Sequence, residues 1–397
     1  MDFALNPELA ALRDAIRAFV EQRILPVEQD LFDEDARGEH TTMRRLQQEA
    51  RDAGLWTPHL PKDLGGKGLG PMGMAALFRP MGRSFAGPRV FNCDAPDQGN
   101  MDLLLSVASD EIRERYLAPL CDAEITSAFC MTEPAPGAGA DPSNLRTTAR
   151  KDGDEWVIDG HKWYSTGGDA ASFLIVMART SDDPRSGASM FVVERDAPGV
   201  EHVREIKTMG IPFLAHREAE FKFTNVRVPE SAVLGGIGEG FRLAQKRLVP
   251  ARLTHCMRWL GLADRTLHMC REYVATRKSF GKELARHQQI QMLIARGAMD
   301  VHQGNLMTMH CAWMLENGRD KEARPYSSMA KLHVARALCR ILDDAIQMHG
   351  GLGFSEDVPF STWYRSARAA RIADGPDEVH VMVVARDFLL GRLELLV

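Results

Sequence analysis

The segment Glu218-Ala219-Glu220-Phe221-Lys222-Phe223-Thr224 alternates polar with apolar side chains at a period of two, the pattern of a strand with one wet and one buried face. It reads as a sheet edge or a barrel wall. Upstream, Trp156 to Ile158, Phe173 to Met177 and Met190 to Val193 are short runs rich in β-branched and aromatic residues, bounded by Gly, Asp and Ser. The middle of the chain is therefore expected to be all-β and antiparallel. No Rossmann-type alternation of strand and helix appears in it.

On both sides of this region the apolar period lengthens to that of a helix. Asn6 is a plausible N-cap, Pro7 suits the first helical position and Pro26 stands just past the end. Between them Leu9, Leu12, Ile16, Phe19 and Val20 form one stripe. Further helical stretches, Met43 to Ala53 and Glu111 to Leu120, alternate with Gly- and Pro-rich turns such as 61–71 and 87–96. After Gly235 to Gly240 four long helical segments are expected near 241–275, 286–317, 325–349 and 377–391. The predicted architecture is mainly α with a central β-domain. It divides into an N-terminal α-helical domain over 1–125, a middle antiparallel, barrel-like β-domain over 126–235 and a C-terminal four-helix bundle over 236–397.

Composition narrows the function. A chain of 397 residues is long enough for two or three cores. Its 45% hydrophobic and 26% charged content is that of a globular protein. The net charge of -5 argues against a nucleic-acid partner, because backbone binding rests on a Lys/Arg surplus. Seven scattered cysteines without a C-x-x-C pair indicate neither a disulfide framework nor a thiolate metal site, and fit a reducing cytoplasm. No H-x-x-x-H or H-E-x-x-H spacing marks a metal site, so His287, His302 and His349 read as loop or packing residues. No signal-peptide pattern opens the sequence, and no apolar run is long enough for membrane insertion.

Several motifs carry chemistry beside a plainer reading. Cys130 to Pro134, followed by Pro136-Gly137-Ala138-Gly139-Ala140-Asp141, can present backbone N–H groups to a ring or phosphate, or be an ordinary turn. Trp163-Tyr164-Ser165 joins aromatics to a hydroxyl, suited to a planar ring or to a packed strand end. Arg277, Lys278 and Lys282 lie close together beside Ser279, Phe280 and Gly281, and suit a pyrophosphate or a solvated loop. Gln347 to Gly351 ends a helix as a glycine C-cap does. Ala373-Asp374-Gly375-Pro376-Asp377-Glu378 starts the last helix, where Asp377 reads as an N-cap or dipole partner.

Taken in order, these segments resemble the acyl-CoA dehydrogenase family over essentially the whole chain. Pro61 to Gly66 resembles the family's P-E-x-x-G-G turn. Met131-Thr132-Glu133-Pro134 with Gly137 to Asp141 resembles its T-E-P-G-A-G-S-D loop, with two additional residues and with Ala140 in place of a serine that helps hold FAD or CoA. Trp163 and Ser165 match its W-I-T, and Arg277, Ser279 and Phe280 match its R-x-T-F-G-K, whose Arg reaches the FAD of a neighbouring subunit. Gln347, Gly350 and Gly351 match its Q-x-x-G-G. The resemblance thus assigns Met131, Thr132, Trp163, Ser165, Arg277, Ser279, Phe280, Gln347, Gly350, Gly351 and Glu378 to FAD, and Ala140, Arg252 and Gly375 to substrate. Asp374 takes the place of the catalytic Glu of Y-E-G-T, one methylene shorter; the alternative base position found in some members is here Ala251, which cannot accept a proton. Arg252 is left with two roles, substrate contact or brace of the base's loop.

What the resemblance implies is oxidation of an acyl-CoA to trans-2-enoyl-CoA. Asp374 takes the α-proton, the β-hydride passes to flavin N5, and electron-transferring flavoprotein serves as acceptor. It also implies a homodimer or homotetramer. Phe91 to Asp97 and Asp374 to His380 resemble the branch that in animals is fused to a kinase-like domain, of which no segment is seen here; that branch admits a 4-hydroxyacyl-CoA or its phosphorylated form. A flavin oxidase of the same fold, acting on acyl-CoA or a nitroalkane, and a non-catalytic FAD-binding oligomer are the alternatives.

Overall fold

The computed structural model describes residues 5–183, 187–209 and 217–395. These fall into two compact units. One holds residues 5–91, Met209 and 252–395; the other holds 92–208 and 217–251.

The first unit is helical. Helix α1 (Pro7–Phe19) starts as its sequence dictates, with Asn6 Oδ1 accepting from Leu9 N at 2.8 Å and Pro7 in the first turn. Its winding continues through a π-turn over Val20–Ile24 into a 3-10 turn, Leu25–Val27. Pro26 is thus inside helical winding and not past its end, since a proline early in a new turn forfeits no helical hydrogen bond. Ile16 and Val20 are buried, while Leu9, Leu12 and Phe19 are half-buried. Helices α2 (Glu28–Ala36), α3 (Thr41–Asp52) and α4 (Pro71–Met81) follow.

The C-terminal part of this unit is built from α6 (Gly240–Thr276, from Arg252 on), α7 (Gln288–Glu316), α8 (Asp320–His349) and α10 (Asp377–Leu389), with a shorter α9 (Phe360–Ala367) before the last. Leu260, Val334, Leu338, Ile341, Leu342 and Trp363 make its dry core. Each such side chain contributes roughly 1.5–3 kcal/mol by leaving water.

The second unit contains helix α5 (Asp97–Val107) and a sheet of eight strands. The strands are β1 (Ser127–Cys130), β2 (Thr148–Asp152), β3 (Glu155–Thr166), β4 (Phe173–Arg179), β5 (Ala188–Glu194), β6 (Val200–Ile206), β7 (Glu218–Pro229) and β8 (Val233–Leu234). Their order is β6-β7-β3-β2-β4-β5-β8, with β1 added beside β4. Two readings are corrected here. The sheet is mixed, since β1 and β2 both pair with β4 in parallel. And β7 is no edge: it pairs with β3 on one side and β6 on the other. Its alternation survives because the buried Glu220 is held by Arg204 Nε and His161 Nε2, each at 2.7 Å.

Candidate active site

The residues singled out above fall into two groups, one in each unit. In the sheet unit the end of β1 runs into the 131–141 loop, and β3 carries Trp163 to Ser165 beside it. Trp163 N donates to Thr132 O at 3.0 Å, which ties the two motifs together. Beneath them lies Lys162, fully buried, with Nζ donating to Met131 O at 3.0 Å and to Glu133 Oε1 at 2.9 Å.

Glu133 in turn accepts from the backbone N–H groups of Ala138, Arg146 and Thr147 at 3.1, 2.7 and 2.8 Å. Burial alone would raise its pKa, but Lys162 and these N–H donors outweigh it and hold the carboxyl down at about 2. Gly137 is needed at this close approach, since a Cβ there would come within 2.4 Å of Glu133 Oε2.

The surface above this knot suits a planar cofactor. Met131, Thr132 and Trp163 are half-buried, and Tyr164, at φ 49°, turns its half-exposed ring edge-on to Trp163 at 5.0 Å. Ser165 Oγ is buried, and no oxygen or nitrogen among the described residues satisfies it; the neighbouring Cys130 thiol is only a weak partner. An unsatisfied hydroxyl at a strand end, next to a half-covered indole, fits a ring with its own polar edge. Ala140 is exposed, at the rim of the loop.

In the helical unit Asp374 and Gly375 occupy the turn before α10. Asp374 takes the left-handed region at φ 52°, which Asp tolerates better than most residues. Gly375 follows at φ 105°, where a Cβ would stand 3.0 Å from His380 Nε2. Two cations hold this turn by its carbonyls. Arg252 Nε donates to Asp374 O at 2.8 Å, and Lys331 Nζ donates to Gly375 O at 2.6 Å.

Lys331 is fully buried, and burial pushes its ammonium down to about 8, with the Asp374 charge opposing that shift. Burial, then Lys331 and Arg252, push His380 down to about 4. Asp377 sits in the first turn of α10 as expected, but Pro376 takes the N-cap position. Its carboxylate Oδ2 instead accepts from Arg336 Nε and Arg371 Nε at 2.9 and 2.8 Å.

The remaining motif residues line this unit elsewhere. Arg277, Ser279 and Phe280 form a small hairpin after α6, with Phe280 95% exposed and His287 Nε2 3.1 Å from Ser279 O. Gln347, Gly350 and Gly351 are exposed at the end of α8, with Gly350 at φ 61°. His349 is a packing residue there, stacked on Tyr273 at 4.1 Å, so the α8 end and the α6 end meet. Glu378 is exposed in the first turn of α10. No group of three potential metal ligands occurs among the described residues.

Sequence reasoning passed over Lys331, His255 and the Lys162–Glu133 pair. For Lys331 a signal was present: it shares a helical stripe with Ser327, Val334, Leu338 and Leu342, all buried, so a lysine stands where the period demands a core residue. His255 shares a helix face with Arg252 and Arg258, but nothing local says what that face meets.

Residues 6–124, 128–226 and 238–389 match the N-terminal, middle and C-terminal domain models of acyl-CoA dehydrogenases, respectively. The chain is 38% identical over 398 residues to FadE2 of Mycobacterium tuberculosis, an acyl-CoA dehydrogenase by its name, covering 97% of this chain and 96% of that protein. It is 35% identical to acyl-CoA dehydrogenase family member 11 of Gallus gallus, over 95% of this chain but 50% of the relative, so it spans about half the length of that protein. A solved Mycobacterium abscessus structure of acyl-CoA dehydrogenase type superposes with a TM-score of 0.92 at 38% identity, covering 98% of this chain and 99% of the other.

Proposed function

We propose that this chain, which belongs to the acyl-CoA dehydrogenase family and takes FAD as its cofactor, oxidises an acyl-CoA thioester to the trans-2-enoyl-CoA with Asp374 as base. The observation that carries the reading is the turn at Asp374 and Gly375. It is a carboxylate on a left-handed backbone, pinned through its own carbonyl by Arg252 and through the next by a buried lysine. Such a turn fixes a proton acceptor in place, which is what abstraction of a weakly acidic α-proton needs.

In this reading Asp374 takes the α-proton and its backbone N–H faces the thioester oxygen, where negative charge develops. Bound FAD supplies the acceptor for the β-hydride. Met131, Thr132, Trp163 and Ser165 hold the ring. Arg277, Ser279, Phe280, Gln347, Gly350, Gly351 and Glu378 serve the FAD of a neighbouring subunit in a homodimer or homotetramer, a role that suits an aromatic as exposed as Phe280. Arg252 acts as a brace, because its Nε is spent on Asp374 O. Ala140 and Gly375 border the substrate. Electron-transferring flavoprotein is the expected acceptor. Seven buried free cysteines suit a reducing cytoplasm, and no helix among the described residues is long and apolar enough to cross a membrane.

The deciding experiment is anaerobic flavin absorbance on titration with straight-chain, branched and 4-hydroxy acyl-CoAs, beside an Asp374→Ala variant. Bleaching by one class, slowed about 10²–10⁴-fold in the variant, is expected. Absence of bleaching by any acyl-CoA ends the dehydrogenase reading. Undiminished bleaching in the variant ends the assignment of the base, and rapid peroxide formation with acyl-CoA or nitroalkane transfers the chain to the oxidases.

A further inference from the structure

One side chain in the helical unit stands close to the Asp374 carboxylate and has no part in the reading above. His255 lies on α6 one turn after Arg252, with Nε2 3.2 Å from Asp374 Oδ2. Its other ring nitrogen, Nδ1, is 3.1 Å from a terminal nitrogen of the Arg258 guanidinium. Arginine only donates, so Nδ1 must accept, and the ring's proton is on Nε2, the nitrogen nearer the carboxylate. The ring plane is fixed as well: it stacks on Trp259, centroids 5.1 Å apart and 19° from parallel. Thus a buried arginine selects the tautomer, an indole selects the orientation, and the protonated nitrogen that results stands 3.2 Å from Asp374 Oδ2, at ion-pair distance but outside hydrogen-bond alignment, so that a small turn of the carboxylate closes the bond.

We propose that His255 is a positioning residue for the carboxylate, its Nε2–H selecting the rotamer and stabilising the ionised form of Asp374 before substrate arrives. The proposal rests on Asp374 being the base. His255 cannot replace it, because its one lone pair is taken by Arg258 and its other ring nitrogen already carries a proton. The other charged and titratable groups around this carboxylate are Arg252 and Lys331, both spent on backbone carbonyls of the turn, and His380 beneath Gly375. Arg252 and Lys331 hold the turn by its backbone carbonyls, whereas His255 stands against the carboxylate itself.

The test uses the flavin-loaded enzyme with His255→Phe, which keeps a ring to stack on Trp259 but removes the donor, and His255→Gln, which restores an N–H at similar reach. In His255→Phe the anaerobic bleaching rate is expected to fall about tenfold, and the acid side of its pH profile to move to higher pH, because a hydrogen bond to the charged form favours that form. His255→Gln should recover most of both. An unchanged rate and pH profile in His255→Phe overturns the proposal.

A second readout needs no turnover. Nitrogen-15 NMR of labelled histidine should show His255 as the Nε2–H tautomer, with its resonance shifting in Asp374→Asn; an Nδ1–H tautomer overturns it. Should His255→Phe fail to hold flavin, this spectrum still decides. Failure of the base assignment is seen separately, as undiminished bleaching in Asp374→Ala.

Discussion

Each unit contains a fully buried lysine that donates to a backbone carbonyl of a candidate-site turn, and the two are balanced in different ways. Lys162 donates to Met131 O and is also paired with the Glu133 carboxylate at 2.9 Å. Lys331 donates to Gly375 O, and among the described residues no carboxylate oxygen lies within ion-pair distance of it. Its charge is offset from further off, by Asp374 first, then by Cys256 and Asp377. The first arrangement is a closed knot whose charges cancel locally. The second leaves a positive charge for which Asp374 is the leading counter-charge, so the ionisation of that carboxylate and the hold on its turn are linked.

Several measurements can break or sharpen this contrast. The largest expected effect is on Lys162→Met, which abandons a buried carboxylate and should cost about 3–5 kcal/mol in urea unfolding. Adding Glu133→Gln should return a large part of it. A loss below 1 kcal/mol for the single change would make the two lysines equivalent and end the comparison.

Gly375→Ala should cost about 1–3 kcal/mol, because the left-handed backbone is strained for any side chain and His380 crowds the added methyl. A thermal melt of the flavin-loaded protein would show it. Lys331→Met removes a hydrogen bond together with the cost of burying an ammonium, so its stability change should stay near 1 kcal/mol in either direction. Its anaerobic flavin reduction, in contrast, should slow about tenfold as the turn loosens. A rate equal to that of the parent would show that Arg252 alone holds the turn.

The smallest effect concerns acid. Glu133 is held at about 2 when folded against an ordinary value of 4.5, so the unfolded chain binds more protons there between these limits. Its contribution to stability is complete above about 4.5 and is lost as pH falls towards 2. Unfolding midpoints measured through this window should decline more steeply in the parent than in Lys162→Met.

The helical part of this architecture was legible because its signals are long. Four segments of helical period bounded by Gly and Pro gave α6, α7, α8 and α10 to within a few residues. Strand β1 was not legible: four residues are too few to show a period, and its parallel pairing with β4 is a tertiary choice. The neighbours of β7 were hidden for the same reason, since alternation reports faces and not edges. At the site, Asp374 was singled out through its resemblance to a family pattern and not by its chemistry. Its supports were invisible because Lys331 meets Gly375 across 44 residues of chain and Arg252 meets Asp374 across 122.

The positive φ of Asp374 limits which amino acids can stand there, apart from any reaction. Asp and Asn enter the left-handed region readily, whereas other side chains pay about 1–2 kcal/mol. Replacing Asp374 by Glu is therefore a change of backbone preference as well as of reach, and a slow Asp374→Glu enzyme would not by itself measure the missing methylene. Asn shares the shape and the torsional tolerance of Asp and differs in losing the charge and in carrying an NH2 donor where Asp has an acceptor oxygen, so in the sequence space of this position it is the neighbour that removes ionisation while keeping the backbone geometry.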